Sequence, residues 1–566
     1  MADVLVVLLY GQHVADLHRE GQRLTLRYRD VYSALPDATP LSLSMPAQVP
    51  EHGTSKVEPW LWGLLPDNND VLQRWGREFQ VSPRNVFSLL AHVGEDCAGA
   101  AQFVRPERVD ELDPGSLEPL TDDDIAEVLR RLRTEPTAWH QPRRTGRFSL
   151  AGAQAKTALH YDGCAWSRPR GAVPTTHILK PALMGRDDHD LNEHLCLRAA
   201  DQLGLRSAES QIMSFGDQRA IVVTRYDRVE SPAGTWTRVH QEDLCQALSL
   251  PPDRKYQADR GPSPKIIGDL LWRAVPRTAS RGAIERFFDA LVLNWLLIGT
   301  DAHAKNYSLL LLQRDVRLAP LYDVASALPY DDVGHSLAMK LGGTYDVDWV
   351  GESNFQRLAA DLRLDPDWAV ERARALARDL PAAMERACSD DSVVALDSPL
   401  PQLLLDSVVE RATWSTRRLA PAGASASAAG ASAGAAAASA GAAAAASAGA
   451  DAGGAGAAEG AASPGQPSWS RPLLDELMKA LGPPQSTLLA ALLEVGGQLD
   501  VAAVRKMIGR DPAASLRGLT GPITKALLRL QRQSLLPEQL RSPLVAVREE
   551  GRVVAFRLDL ESLQQE

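Results

Sequence analysis

Between residues 285 and 298 the chain reads ERFFDALVLNWLLI, apolar on nearly every face of a helix. Such a helix has no side to give to water, so it must lie inside a lobe large enough to surround it. Gly299 ends the apolar run, and a short polar segment then carries Asp301 and Asn306. A strand-like run covers 307–312, and a second apolar turn presents Asp323. A carboxylate, a carboxamide five residues on and a second carboxylate beyond a hairpin form the order used in metal-dependent phosphoryl transfer. In that scheme the first Asp takes or orients the proton of the substrate hydroxyl. The Asn and the second Asp hold Mg2+, a small hard cation suited to oxygen ligands. An Asp-x-x-x-x-Asn pair alone fits helix caps and turns equally well, and the upstream chain bears on that choice.

At 566 residues the chain is too long for one ordinary core, and roughly two to four domains are expected. The 45% hydrophobic and 23% charged fractions are those of a soluble globular protein. A net charge of −10 argues against wholesale binding to nucleic acid or an anionic membrane, while permitting a local basic patch. Cys97, Cys164, Cys196, Cys245 and Cys388 are scattered, odd in number and form no CxxC pair. Neither a zinc site nor a disulfide framework follows, and a reducing cytoplasm fits best. The opening MADVLVVLLYGQHVADL has no basic n-region and reads as a strand and turn rather than a signal peptide. No uninterrupted apolar run reaches about 18 residues, so no membrane-spanning helix is expected.

Residues 1–105 read as a small α+β unit, with strands at 4–10 and 24–28 about the turn at Gly11 and Gln12. Residues 41–45 alternate apolar and polar, and Trp60, Trp62, Leu64 and Leu65 begin a helical stretch ending near Pro66. Residues 121–133 predict a helix capped by Thr121 with acidic residues in its first turn. In SLAGAQAK, small residues let backbone amides approach an anion and Lys156 adds charge, although an ordinary β-turn reads the same way. HILKP reads as a strand ending in Lys180, where a lysine can pair nucleotide phosphates or simply be solvated. A helix over 190–203 places Glu193 within reach of Lys180. A hairpin about Gly216 and Asp217 then leads into Arg225-Tyr226-Asp227-Arg228, where a two-lobed kinase has its hinge.

Loop, Lys, Glu, hinge, Asp, Asn and Asp thus follow in kinase order, and the words themselves resemble the HipA family of bacterial serine/threonine kinase toxins. The carrying motifs are SLAGAQAKTAL, HILKP, NEHLCLRAADQLGL, VTRYDR, VHQEDLCQAL, GTDAHAKNYSLL and PLYDVASA, with LSLSMP and GEDCAGAAQF upstream. The resemblance covers roughly residues 1–400. It implies Asp301 as catalytic base, Asn306 and Asp323 as Mg2+ ligands, and Lys180 as the catalytic, phosphate-pairing lysine. It implies that Leu150, Ala151, Gly152, Ala153, Gln154, Ala155 and Lys156 cover the ATP phosphates, with His303 and Lys305 also at the nucleotide. Thr224 and Tyr226 match the backbone positions that hold adenine, and Asp227 that of a ribose contact; Thr224 replaces the family's usual acidic residue. Ser149 matches the family's autophosphorylated serine, whose modification ejects the loop and switches the kinase off. A phosphate of about −2 charge beside bound ATP would be repelled. Family membership further implies a protein substrate in translation, typically glutamyl-tRNA synthetase, and a small helix-turn-helix antitoxin of HipB type.

From 422 to about 465 the sequence is almost wholly Ala, Gly and Ser, a composition that reads as a linker. Beyond it, helices are expected at 486–495, 500–508 and 522–534, and a hairpin at 544–548 and 552–558. That is the order of a winged helix. From Arg471 to Glu566 there are 13 Lys/Arg against 11 Asp/Glu, a balance of +2 in an acidic chain. Lys525, Arg529 and Arg532 recur on one face of the third helix, with Arg552 at the wing tip, so promoter DNA is one expected partner and another protein the other. The expected fold is α+β: a two-lobed protein-kinase-like fold with an N-terminal α+β subdomain, followed after a low-complexity linker by a winged-helix-like domain. Its expected limits are 1–105, 106–240 for the first lobe, 241–420 for the helical second lobe, 421–469 for the linker and 470–566. The reading that follows is a cytoplasmic ATP- and Mg2+-dependent serine/threonine kinase. A transcriptional regulator whose kinase fold senses ATP or a partner is the alternative, and a small-molecule kinase is a third.

Overall fold

Alternating apolar residues over 3–28 build a meander of β1 (Asp3–Leu9), β2 (Gln12–Glu20) and β3 (Arg23–Tyr28). Leu5 pairs with Leu17, and Leu17 with Leu26, so the leucines share one buried face. β4 (Glu51–Gly53) and β5 (Ala101–Val104) complete the sheet in the order β4-β3-β2-β1-β5. Helices Thr54–Trp62, Asn69–Phe79 and Val86–Val93 bury Trp60, Trp75 and Leu90 with the leucines of the sheet. Three local expectations change. The first helix stops at Trp62 and carries Pro59 inside it, whereas the sequence placed its end near Pro66. Residues 41–45 form a turn closed by a Ser42–Met45 bridge, because the Tyr28 hydroxyl takes the Met45 carbonyl and the Leu41 N–H. β2, whose half-buried or exposed positions carry His13, Arg19 and Glu20, was not anticipated.

The computed structural model describes residues 3–112, 115–137, 148–183, 185–186, 188–231, 235–330, 334–420, 471–479, 481, 483–495, 498–500, 503–504, 506, 523, 530, 544–549 and 552–558. The chain divides into two units, Met1–Ala442 and Ala443–Glu566.

In the first unit a second sheet is wholly antiparallel. Its strands are β6 (Ser116–Pro119), β7 (Thr157–Tyr161), β8 (Trp166–Arg170), β9 (His177–Pro181), β10 (Ser210–Phe215) and β11 (Gln218–Thr224), in the order β10-β11-β9-β7-β8-β6. Helix Asp122–Thr134 starts on the expected Thr121 cap, with Asp124 closing a capping box. Helix His189–Gln202 packs against β10 and β11. The apolar run at 285–298 forms the end of helix Arg277–Leu296, buried at Phe287, Phe288 and every residue on to Leu296. Helices Pro264–Ala274, Glu352–Leu362, Pro366–Cys388 and Leu400–Arg418 surround it. Beside it Gln241–Asp243 pairs with Ser308–Leu312, which pairs with Asp315–Leu318. The architecture is a strand-rich lobe and a helical lobe with a small α+β subdomain in front.

In the second unit the described elements are helices Arg471–Lys479 and Pro483–Val495 and a three-stranded antiparallel sheet. Leu544–Glu549 and Arg552–Leu558 form the expected hairpin, and Gln498–Asp500 adds a third strand on the Arg552 side. Asp500 therefore ends a strand instead of opening the expected helix. Of 522–534 only Ile523 and Leu530 are described, both helical. Lys525, Arg529 and Arg532, and the tract at 422–465, lie outside the described residues.

Candidate active site

β9 and helix His189–Gln202 bring the first charges together. Lys180 sits opposite Ile221 near the end of β9, and Glu193 lies one turn into the helix. The Lys180 ammonium donates to Glu193 at 2.7 Å from Oε1 and 3.1 Å from Oε2, and to Asp323 Oδ1 at 2.7 Å. Burial works against the lysine charge, but Asp323 and Glu193 outweigh it and hold Lys180 above the ordinary lysine range. Burial likewise opposes the Asp323 charge, and Lys180 and Lys156 overcome it, keeping that carboxyl below the usual range. Glu193 is the deepest of the three; burial pushes its carboxyl up against the pull of Lys180. Asp323 adopts a left-handed backbone, φ +58°, a conformation costing a non-glycine residue roughly 1–2 kcal/mol.

Where the buried helix ends, Gly299 returns its N–H to the Asn294 carbonyl at 2.7 Å. A Cβ at Gly299 would lie 2.3 Å from Asn294 Oδ1. The close turn launches an exposed Asp301 toward the cleft. The Tyr256 hydroxyl donates to Asp301 Oδ1, and His303 Nε2 stands 3.8 Å from the same oxygen. Burial pushes the His303 imidazole down to about 4, so it is neutral at physiological pH. Asn306 donates its side-chain amide to the Asp301 carbonyl at 2.8 Å, which leaves its Oδ1 as the atom with which to face a cation.

The third component is the small-residue loop. Ser149 is fully buried, its hydroxyl donating to the Leu64 carbonyl at 2.7 Å and its N–H to the Asp96 carbonyl at 2.9 Å. The Lys156 ammonium donates to the Ala151 carbonyl at 2.8 Å. Gly152 has φ +104°, and a Cβ there would lie 2.8 Å from Lys156 Nζ, so the turn requires glycine.

These parts line one cavity of about 590 Å3, in the range of small-molecule sites. On its wall are Leu150, Ala151, Gly152, Ala153, Gln154, Lys156, Lys180, Glu193, Thr224, Tyr226, Asp227, Asp301, His303, Lys305, Asn306 and Asp323. Ala155 is buried behind the loop, and Ser149 likewise is not on the wall. Asp227 is present but engaged: its carboxylate accepts from Arg225 at 3.0 and 2.9 Å and from the Gly99 N–H at 2.7 Å. Burial opposes that charge, and Arg225 and Arg228 hold the carboxyl down to about 2. Among the described residues no three His, Cys, Asp or Glu side chains converge on a metal position. Asn306 and Asp323 offer two oxygen ligands, which suits Mg2+ because that ion keeps waters and takes phosphate oxygens for its remaining positions.

Sequence reasoning missed Asp67, Lys255 and Tyr256, all in this site. Lys255 donates to Asp67 Oδ2 at 2.8 Å and Lys305 to its Oδ1 at 2.5 Å. Asp67 lies 188 and 238 residues from these partners in sequence. Only the turn-forming Pro66-Asp67 marks the position locally.

A strand-rich lobe and a helical lobe, bridged by a Lys–Glu–Asp ion set and carrying an Asp–Asn loop, define a protein-kinase-like phosphotransferase. Residues 5–104 match the family described as the HipA N-terminal domain, and 148–385 the HipA-like C-terminal domain. The protein of Sinorhizobium fredii named Putative kinase Y4mE is 32% identical over 409 residues, 71% of this chain and 95% of the relative. The serine/threonine-protein kinase toxin HipA of Shewanella oneidensis is 29% identical over 358 residues, 61% of this chain and 80% of that one. A solved structure of Shewanella oneidensis HipA with HipB and operator DNA matches with a TM-score of 0.62 and 26% identity, over 73% of this chain and 96% of that chain. The chain belongs to the HipA family of serine/threonine kinase toxins.

Proposed function

We propose that the protein transfers the γ-phosphate of ATP, with Mg2+, to a serine or threonine of a protein substrate in translation and to its own Ser149, so regulating growth arrest. The Lys180 bridge to both Glu193 and Asp323 carries this reading, because it sets a fixed positive charge beside Asp323 and Asn306. Asp301 would accept the acceptor hydroxyl's proton, taking over the place of the Tyr256 phenol. Lys156 and the amides of 150–156 would face the phosphates, and the 224–227 segment the adenine and ribose. Bound Mg2+ would neutralise the phosphate oxygens, held by Asp323 and the Asn306 carboxamide. The family resemblance suggests an aminoacyl-tRNA synthetase such as that for glutamate as the acceptor, and the solved HipA–HipB–DNA complex suggests a HipB-like antitoxin as the partner. The hairpin unit at 470–566 is proposed to meet promoter DNA, and the place of action is the cytoplasm. Among the described residues no helix is long and apolar enough to cross a membrane.

The test is phosphotransfer from Mg-ATP by the purified protein beside Asp301→Asn, read by mass spectrometry. Phosphate on Ser149 in wild type and not in the variant supports the kinase. ATP binding without transfer in either favours a sensor that regulates transcription.

A further inference from the structure

We propose that Asp67 is a positioning residue: it clamps the phosphate loop to the catalytic loop, so that the N-terminal subdomain sets the closed state of the cleft. Its backbone and its side chain act on different parts of the site. The Asp67 N–H donates to the Gly152 carbonyl at 2.9 Å, and Pro66 pairs with Gly152 in a parallel bridge. The carboxylate takes Lys305, neighbour of Asn306, and Lys255, neighbour of the tyrosine that holds Asp301. The same subdomain holds the loop's other end, through Leu64 and Asp96 on Ser149.

A carboxylate on the wall of a phosphate cavity would repel the ligand unless its charge were spoken for. Here each oxygen has its own ammonium partner, and the side chain is only 8% exposed. Burial opposes the Asp67 charge; Lys305 and Lys255 overcome it and keep the carboxyl below its ordinary value. Lys305 is buried as deeply, so the pair is held in a low dielectric where it is screened little by salt. An N-terminal segment that is displaced would release the glycine turn and both lysines together.

The inference rests on reading 150–156 as the phosphate loop, but its first test needs no nucleotide. Hydrogen exchange by mass spectrometry is followed on the full chain, for wild type, Asp67→Asn and Asp67→Glu. Exchange over 149–156 is expected to quicken about tenfold in Asp67→Asn, the effect of losing one charge-assisted anchor. Asp67→Glu should restore part of the protection, and the buried helix Arg277–Leu296 should keep its own. In the transfer assay the KM for Mg-ATP should rise about tenfold with a smaller change in kcat. Asp67→Asn takes from two lysines the carboxylate they share, so Lys255→Gln, which keeps the Asp67–Lys305 pair, is measured beside it. It should speed exchange over 149–156 about threefold. Unchanged exchange there in a folded Asp67→Asn, or in Lys255→Gln where Asp67→Asn unfolds, overturns the clamp. If wild type transfers no phosphate, the kinase reading fails while the exchange comparison still decides the clamp.

Discussion

Lys180 on β9 and Asp323 in the helical lobe meet at 2.7 Å, a charged bond that joins the phosphate-side sheet to the turn after the catalytic hairpin. Because Glu193 shares the same ammonium, one positive charge faces two carboxylates, and neither contact can change without the other. Both lobes are therefore tied through one side chain that is 7% exposed.

Replacing Lys180 by Met should remove phosphotransfer and cost stability as well. Two carboxylates would lose the ammonium they share and keep only the more distant charge of Lys156, and breaking a buried pair costs about 3–5 kcal/mol. Adding Glu193→Gln removes one of the stranded charges, so the double variant should regain stability while staying inactive. Urea unfolding of the three proteins checks this. A single variant as stable as wild type would show the bridge to be structurally idle.

Asp301→Asn should separate chemistry from fold. Its side chain is 73% exposed, so the substitution removes little that folding depends on. Loss of a general base typically lowers rate by about 10²–10⁴-fold. The expected outcome is an unchanged melting curve with transfer reduced to that degree; a variant that keeps wild-type turnover would take Asp301 out of the mechanism.

How much of this site could be read from the chain follows from how each part is encoded. Asp301, Asn306 and Asp323 lie within one short stretch, and Lys180 stands next to last in a short strand, so local pattern brought them forward as candidates. The hairpin at 210–224 and the Thr121 cap were legible for the same reason. Asp67 and Tyr256 were not, because nothing local says that a turn in the front subdomain meets the catalytic loop far along the chain. Asp227 was expected from the sequence in a hinge segment; its pairing with Arg225 and the Gly99 N–H was not legible, since the Gly99 bond depends on how the subdomain docks. β2 was missed because its many polar residues mask the buried Val14, Ala15 and Leu17.

Gly152 and Gly163 offer a matched comparison, since both hold positive φ, +104° and +93°. Alanine at either position strains the backbone by roughly 1–2 kcal/mol. Only at Gly152 would the new Cβ also press on Lys156 Nζ, whereas Gly163 has open space around it. Gly152→Ala should therefore reduce phosphotransfer by about tenfold or more, the cost of misplacing a positioned group. Gly163→Ala should lower the melting temperature slightly and leave turnover intact. Equal activity in the two variants would show that the glycine turn does not set the position of Lys156.

Lys156 supplies a pH dependence whose two signs differ. Burial, and after it the charge of Lys180, pushes the ammonium down to about 8 from its ordinary 10.5. Below pH 8 both folded and unfolded chains carry the proton, so this group contributes no slope to stability. Between pH 8 and 10.5 the unfolded chain binds more protons than the folded one, and the Lys156 contribution to stability rises with pH. A bound polyphosphate favours the charged form, so nucleotide affinity should be fullest below pH 8 and fall as pH rises through it. Lys156→Met should bind more weakly and lose both slopes. Nucleotide titrations of the two proteins from about pH 7 to 9.5, a span that brackets the shifted value, make the comparison. A wild-type affinity that stays flat across that span would mean that Lys156 does not carry its charge to the phosphates.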